Sequence, residues 1–182
     1  MPAVMLRPAD QRDWPMIRAW LGQGEVQRWW GSLATAEAEV MAAMRADMGL
    51  CSIIEVDHIA VGYAQALDTE PIKGVPHALT AGTFRIDAFI ANPAYRKQGA
   101  GQSAIRLVAH EVFATTLAPA VIVVAALKHE AAVRAYEQTG FTWVRVIDDP
   151  LLGPAWLMRL ERPSPLSSRP QRSGEPGPRG HE

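Results

Sequence analysis

Residues Ala120–Ala126 form an unbroken apolar run, AVIVVAA. A run of this length that is apolar on both sides reads as a central strand buried on both faces. A strand of that kind has to be covered from both sides, which points to a layered domain in which helices flank a sheet. The flanking segments agree. Strands are expected at 4–7, 50–56, 59–67, 83–91, 141–147 and 155–160, with 50–56 and 59–67 turned at Asp57-His58. Along 83–91, Phe84, Ile86, Ala88 and Ile90 share one face, and Arg85, Asp87 and Phe89 share the other. Helices are expected from an Asp10 cap to about Leu21, and from a Thr35 cap to about Met48 with Glu37 and Glu39 in its first turn. Two more are expected at 99–115, with an apolar stripe through Ile105, Val108 and Val112, and at 129–138, stopped by Gly140. Pro71, Gly74, Pro76 and Gly82 mark 68–82 as a loop.

With 182 residues, the chain is long enough for one full core and too short for two ordinary domains. The domain is expected over 1–162. From Pro163 to Glu182 the chain is dominated by Pro, Gly and Ser, with Leu166 the only large apolar residue, so a disordered tail is expected there. A net charge of -1 argues against a strong electrostatic grip on nucleic acid or an anionic membrane. The single cysteine, Cys51, rules out an internal disulfide and a multi-cysteine zinc site, and it is read as a core residue. The longest apolar stretch, 117–127, is too short for a membrane span and contains Pro119. The first residues show no apolar run of a secretory signal, so a cytoplasmic location is the expectation.

The stretch richest in chemical meaning is Arg96-Lys97-Gln98-Gly99-Ala100-Gly101-Gln102, which follows a strand and opens a helix. A helix start presents unpaired N–H groups and the positive end of the dipole. Glycines let that backbone approach a diphosphate, and Arg96 and Lys97 add positive charge beside it. The segment can be an ordinary loop-to-helix connection. It also fits the dinucleotide fingerprint at Gly99-x-Gly101-x-x-Ala104. However, Asn92 to Gln98 separate the glycines from the strand, and no acid ends the next strand. A nucleotide-triphosphate loop fails, because no Lys-Ser/Thr pair follows the glycines.

Arg96-x-x-Gly99-x-Gly101 after a strand resembles the pyrophosphate loop of the GNAT acyltransferases, which use acetyl-CoA. Ala132-x-x-Ala135-Tyr136-Glu137-x-x-Gly140-Phe141 resembles that family's Asn-x-x-Ala-x-x-x-Tyr-Glu-x-x-Gly-Phe segment, in the same order along the chain. Further segments, Trp29-Trp30-Gly31, Gly62-Tyr63-Ala64-Gln65, Ile86-Asp87, Ala91-Asn92 and Gly153-Pro154-Ala155, are together similar to the aminoglycoside 6'-N-acetyltransferases within the family. Siderophore-biosynthesis acetyltransferases share part of this pattern. The resemblance implies an α/β GNAT fold with a mixed central sheet of about six to seven strands flanked by helices. It also implies acetyl-CoA as co-substrate and a small-molecule amine as acceptor. No nucleic acid or membrane partner is expected, and the chain is expected as a monomer or homodimer.

Roles follow from the resemblance residue by residue. An alkylamine with a pKa of about 10.4 is protonated at neutral pH and must lose a proton to attack. Asp87 occupies the position of the acid that accepts it, directly or through water. A salt bridge to Arg85, two residues away on the same face, is the structural alternative for Asp87. A backbone N–H of the fourth strand, near Phe89 or Ile90, would stabilise the oxyanion. Tyr136 stands where the family's tyrosine assists the departing thiolate; a half-buried core tyrosine is the alternative. Backbone groups of Gln98, Gly99, Ala100, Gly101 and Gln102, with the Ser103 hydroxyl, would hold the pyrophosphate.

The chain also departs from the family. His129 stands where Asn is usual, and either replaces it toward the pantetheine amides or caps the helix. Trp29, Trp30 and Tyr63 match positions that line the aminoglycoside site, with core packing as the alternative. The acids a polycationic acceptor needs are sparse: 73–78 is KGVPHA, and Leu152 replaces an acid before the Gly-Pro-Ala turn. Glu25, Asp68, Glu70, Asp148 and Asp149 are the remaining candidates. The expected activity is transfer of acetyl from acetyl-CoA to a primary amine, foremost the 6'-amine of an aminoglycoside. The alternatives are another small amine or hydroxylamine, such as a siderophore precursor, or a catalytically idle acyl-CoA-binding module.

Overall fold

The computed structural model describes residues 3–164. The expected tail falls almost wholly on 165–182, outside the described residues. The strands are β1 (Val4–Pro8), β2 (Leu50–Val56), β3 (Ile59–Asp68), β4 (Phe84–Ile90), β5 (Ala120–Ala126), β6 (Thr142–Asp149) and β7 (Gly153–Glu161). The helices are α1 (Trp14–Leu21), α2 (Gly24–Trp30), α3 (Leu33–Arg45), α4 (His77–Thr80), α5 (Ala100–Thr115) and α6 (Glu130–Thr139). The strands form one sheet in the order β1-β2-β3-β4-β5-β7-β6. Only β4 and β5 run parallel; every other neighbouring pair is antiparallel. All residues of β5 are buried, as its apolar run requires.

Alternation along each strand divides the core by face. Ile54, Ala64, Ile86 and Val121 pack against the stripe of α5, while Ile53, Tyr63 and Phe89 pack against α1, α2 and α3. A third cluster, including Ile122, Val124, Ala155 and Leu157, lies around β5 and β7. The turn between β2 and β3 puts both Asp57 (φ 49°) and His58 (φ 67°) in the left-handed region, the backbone that a two-residue hairpin turn demands.

Two local expectations change, and α2 is an additional helix. The second expected helix is capped by Ser32, whose hydroxyl accepts the Thr35 N–H at 3.3 Å; Thr35 itself lies inside α3. The serine sits directly after Gly31 and meets the chain in extended backbone, which a cap requires. Glu37 and Glu39 therefore lie beyond the first turn. The Trp29-Trp30 segment is itself helical, as the end of α2. The 68–82 loop contains the single turn α4.

Candidate active site

β4 and β5 share backbone register only at Phe84↔Val121 and Arg85↔Ile122. Beyond Arg85 the two strands part. On the other edge, β4 stays paired with β3 along its whole length. The Ala91 N–H donates to the Val61 carbonyl at 2.8 Å, so the backbones of Phe89 and Ala91 face β3. By alternation, the N–H groups of Ala88 and Ile90 face the gap toward β5. Of the two positions expected to offer an oxyanion donor, Ile90 has the suitable direction and Phe89 does not.

The gap widens into a cavity that is partly open to solvent. Asp87 and Ala88 of β4 form one wall and Val124, Ala125 and Ala126 of β5 the other. Trp29, Trp30 and Glu39 approach from the α2–α3 side, His129, Ala132 and Tyr136 from the start and body of α6, and Leu151 and Leu152 from the β6–β7 turn. The site thus forms where the two strands separate and passes through the sheet from one helical layer to the other.

Arg85 sits among the carboxylates of this cavity. Its Nε donates to Asp87 Oδ1 at 3.2 Å, and its Nη1 lies 3.8 Å from Asp149 Oδ2. The Asp87 charge holds the guanidinium pKa above its ordinary value. Asp149 Oδ1 also accepts the N–H groups of Leu151 and Leu152, both at 2.9 Å, which fixes the turn that borders the cavity. Glu39 joins the same wall. Its Oε1 accepts from Gln65 Nε2 at 3.4 Å, and Gln65 Oε1 accepts from the Tyr63 hydroxyl at 3.1 Å. Burial, and then the Asp87 charge, raise the Glu39 pKa. Burial raises the Tyr136 pKa as well, with Asp87 adding to the shift, so the phenol is protonated at neutral pH.

At the foot of β4, Gly99 takes φ +83° at the N-cap of α5, with no atom within 4 Å of where a Cβ would stand. Lys97 is also left-handed, at φ 58°. The first internal α5 bond runs from Ser103 N–H to Gly99 carbonyl at 2.9 Å. The N–H groups of Ala100, Gly101 and Gln102 are therefore the unpaired donors of the first turn. This open, cationic loop fits a diphosphate. Arg96 departs from expectation: its guanidinium donates to the Ile90 carbonyl (2.8 Å), the Ala91 carbonyl (2.8 Å) and Gln23 Oε1 (3.0 Å). These carbonyls are left unpaired where β4 ends, so Arg96 ties the loop to the strand while its charge stays beside the glycine turn.

The aromatic positions separate in the same way. Trp29 and Trp30 border the cavity. Tyr63, expected beside them, is fully buried: it shares the face of Asp87, but the rings of Trp30 and Phe89 pack against it. Its hydroxyl connects to the cavity through Gln65 and Glu39. His129 makes no side-chain cap to α6; its ring stacks on Trp29, with centroids 3.9 Å apart. Cys51 is only half-buried, against α1–α3, and burial raises its thiol pKa.

The cavity therefore brings together Asp87, Tyr136, Trp29, Trp30 and His129, all of them positions that the motifs mark. Glu39, Arg85 and Leu151 join them without a motif that assigns them to the site. Glu39 carried no motif; its one signal was a carboxylate in a helix whose neighbours Ala36, Val40 and Ala43 are buried. Of the five spare acids, Asp149 joins the Arg85 network.

Residues 10–149 match the acetyltransferase (GNAT) domain family, so the chain is a member of the GNAT acetyltransferase family, and acetyl-CoA is its co-substrate. Its fold is similar to that of the aminoglycoside acetyltransferase AAC(6')-Ib, solved with coenzyme A, at 23% identity and a TM-score of 0.75, over 88% of this chain and 95% of that one. An aminoglycoside N(6')acetyltransferase from Legionella pneumophila matches at 17% identity and a TM-score of 0.70, over 88% and 93%. A spermidine N-acetyltransferase from Vibrio cholerae, solved with CoA and spermine, matches at 13% and 0.69, over 87% and 95%. No curated protein matches the sequence.

Proposed function

We propose that the chain acetylates a primary amine held beside Asp87, in the gap between β4 and β5. The observation that carries this reading is that Asp87 and Tyr136 reach one cavity from different elements, with the glycine loop at the foot of the same strand. Acetyl-CoA supplies the activated acetyl group. Asp87 accepts the ammonium proton, directly or through water, so that the nitrogen lone pair is free to form the new N–C bond. The Ile90 N–H, aimed into the gap, stabilises the negative charge that develops on the carbonyl oxygen. As the C–S bond breaks, the Tyr136 hydroxyl donates a proton or hydrogen bond to the leaving sulfur. The loop 97–103 holds the pyrophosphate through its backbone N–H groups and the Ser103 hydroxyl.

The 6'-amine of an aminoglycoside is the acceptor that motif order and the AAC(6')-Ib likeness favour. Trp29 and Trp30 would then support a sugar ring, and the setting would be antibiotic resistance. A second reading, a small amine or hydroxylamine, is favoured by one observation: Arg85 occupies part of the anionic wall. The test is release of CoA thiol from acetyl-CoA with kanamycin-type aminoglycosides, polyamines, monoamines and hydroxylamines, with product mass to identify the acetylated species. Binding of acetyl-CoA without turnover on any acceptor would support an idle acyl-CoA-binding module instead.

A further inference from the structure

We propose that Arg85 sets the acceptor specificity of this cavity, favouring amines with one ammonium group over those with several. The inference rests on the reading of the cavity as the amine site. Two carboxylates, Glu39 and Asp87, line the wall, and Asp149 stands behind them with its side chain only 9% exposed. Arg85 engages Asp87 and Asp149 at 3.2 and 3.8 Å, and it also lines the cavity. A fixed guanidinium thus already occupies the place that a second ammonium group of an acceptor would take. Glu39, on the same wall, is held by a buried hydrogen-bond chain through Gln65 to Tyr63, and it lines the cavity. Of the two carboxylates that line the cavity, Asp87 is already engaged by Arg85, which leaves Glu39 as the lining carboxylate outside that pair. A second ammonium would have to displace Arg85 from its partners or lie beside it. Like charges at contact distance repel, and more strongly in a partly closed cavity than in open water.

The test compares full-length wild type with Arg85→Met and Arg85→Lys on pentylamine and cadaverine, which share a carbon chain and differ by one terminal ammonium, and on kanamycin. Two readouts are taken: kcat/KM with acetyl-CoA, and amine Kd by calorimetry with CoA bound. The expected result is a preference for pentylamine in wild type. In Arg85→Met the cadaverine-to-pentylamine ratio should rise about tenfold in both readouts, the size of one favourable charge contact. Kanamycin should gain in the same direction, and Arg85→Lys, which keeps the charge, should keep the wild-type ratio. An unchanged ratio in Arg85→Met, or an equal loss on all amines, would make Arg85 a support for Asp87 and overturn the proposal. If Arg85→Met does not fold, Arg85→Gln and the ratio in Arg85→Lys decide it: a ratio lost in Lys as much as in Gln removes charge as the cause. A shifted Kd ratio without any turnover would sink the acetyltransferase reading and leave the Arg85 inference standing. Turnover with an unshifted ratio would do the reverse, and no amine binding to any form would overturn both.

Discussion

The imidazole of His129 lies flat on the indole of Trp29, with centroids 3.9 Å apart and planes 4° from parallel. The stack joins the end of α2 to the start of α6, and both residues line the cavity. Burial, and then the charge of Arg28, keep the His129 pKa below its ordinary value, so the ring is neutral at pH 7. The folded protein therefore binds this proton less readily than the unfolded chain does. Stability from this group is present above the unfolded histidine pKa of about 6.5 and declines as pH falls below it. His129→Gln should flatten that part of the stability curve. Urea midpoints of both proteins at pH 7.5 and 5.5 check this; identical pH slopes would mean that the stack does not respond to protonation.

Asp87→Asn and Tyr136→Phe test the two walls of the gap separately. Asp87→Asn should lower kcat by about 100-fold or more, the usual contribution of a positioned base. Tyr136→Phe should lower kcat by about tenfold, the size of one lost hydrogen bond to the leaving sulfur. Acetyl-CoA Kd should stay within about twofold of wild type in both, as neither residue belongs to the glycine loop. Full turnover in both variants, with acetyl-CoA still bound, would refute the assignment.

Gly62→Ala tests the pairing that holds β4 in place. A Cβ at Gly62 would stand 2.2 Å from the Phe89 carbonyl oxygen, an overlap with backbone that no rotamer can relieve. The expected cost is about 1–3 kcal/mol, a fall in Tm of roughly 3–10 °C for a domain of this size. A Tm within a degree of wild type would show that β3 and β4 yield easily at this point.

Glu39 should oppose folding at neutral pH. Its raised pKa means that the folded state holds the proton more readily than the unfolded chain. Its contribution is neutral below the ordinary glutamate value of 4.5 and becomes unfavourable as pH rises through that value to the folded pKa. Glu39→Gln should therefore melt higher than wild type at pH 7 and equally near pH 4, with the difference reduced when a cationic amine is added. Equal melting at both pH values would contradict this.

Much of the fold could be read from local patterns. The apolar run 120–126, the alternation in β4, the stripe of α5 and the stop at Gly140 are each set by neighbours a few residues away, and each appears in the structure. The cap at Ser32 was missed because two residues of similar capping strength stand three positions apart, and the backbone around Gly31 chooses between them.

The functional positions divide along the same line. The sequence by itself determined the strand–glycine loop–helix unit, the carboxylate on β4 and the tyrosine on α6, because each depends on spacing within one element. Only the tertiary structure decided which of these residues meet. The parting of β4 from β5 after Arg85 opens the cavity, and no local signal records where two strands stop pairing. That Arg96 reaches Gln23, that Tyr63 is buried under Trp30 and Phe89, and that Glu39 and Asp149 converge around Asp87 and Arg85 all follow from packing between segments distant in sequence. Charge and hydrogen-bonding partners are set by distance in space, which a linear pattern does not encode.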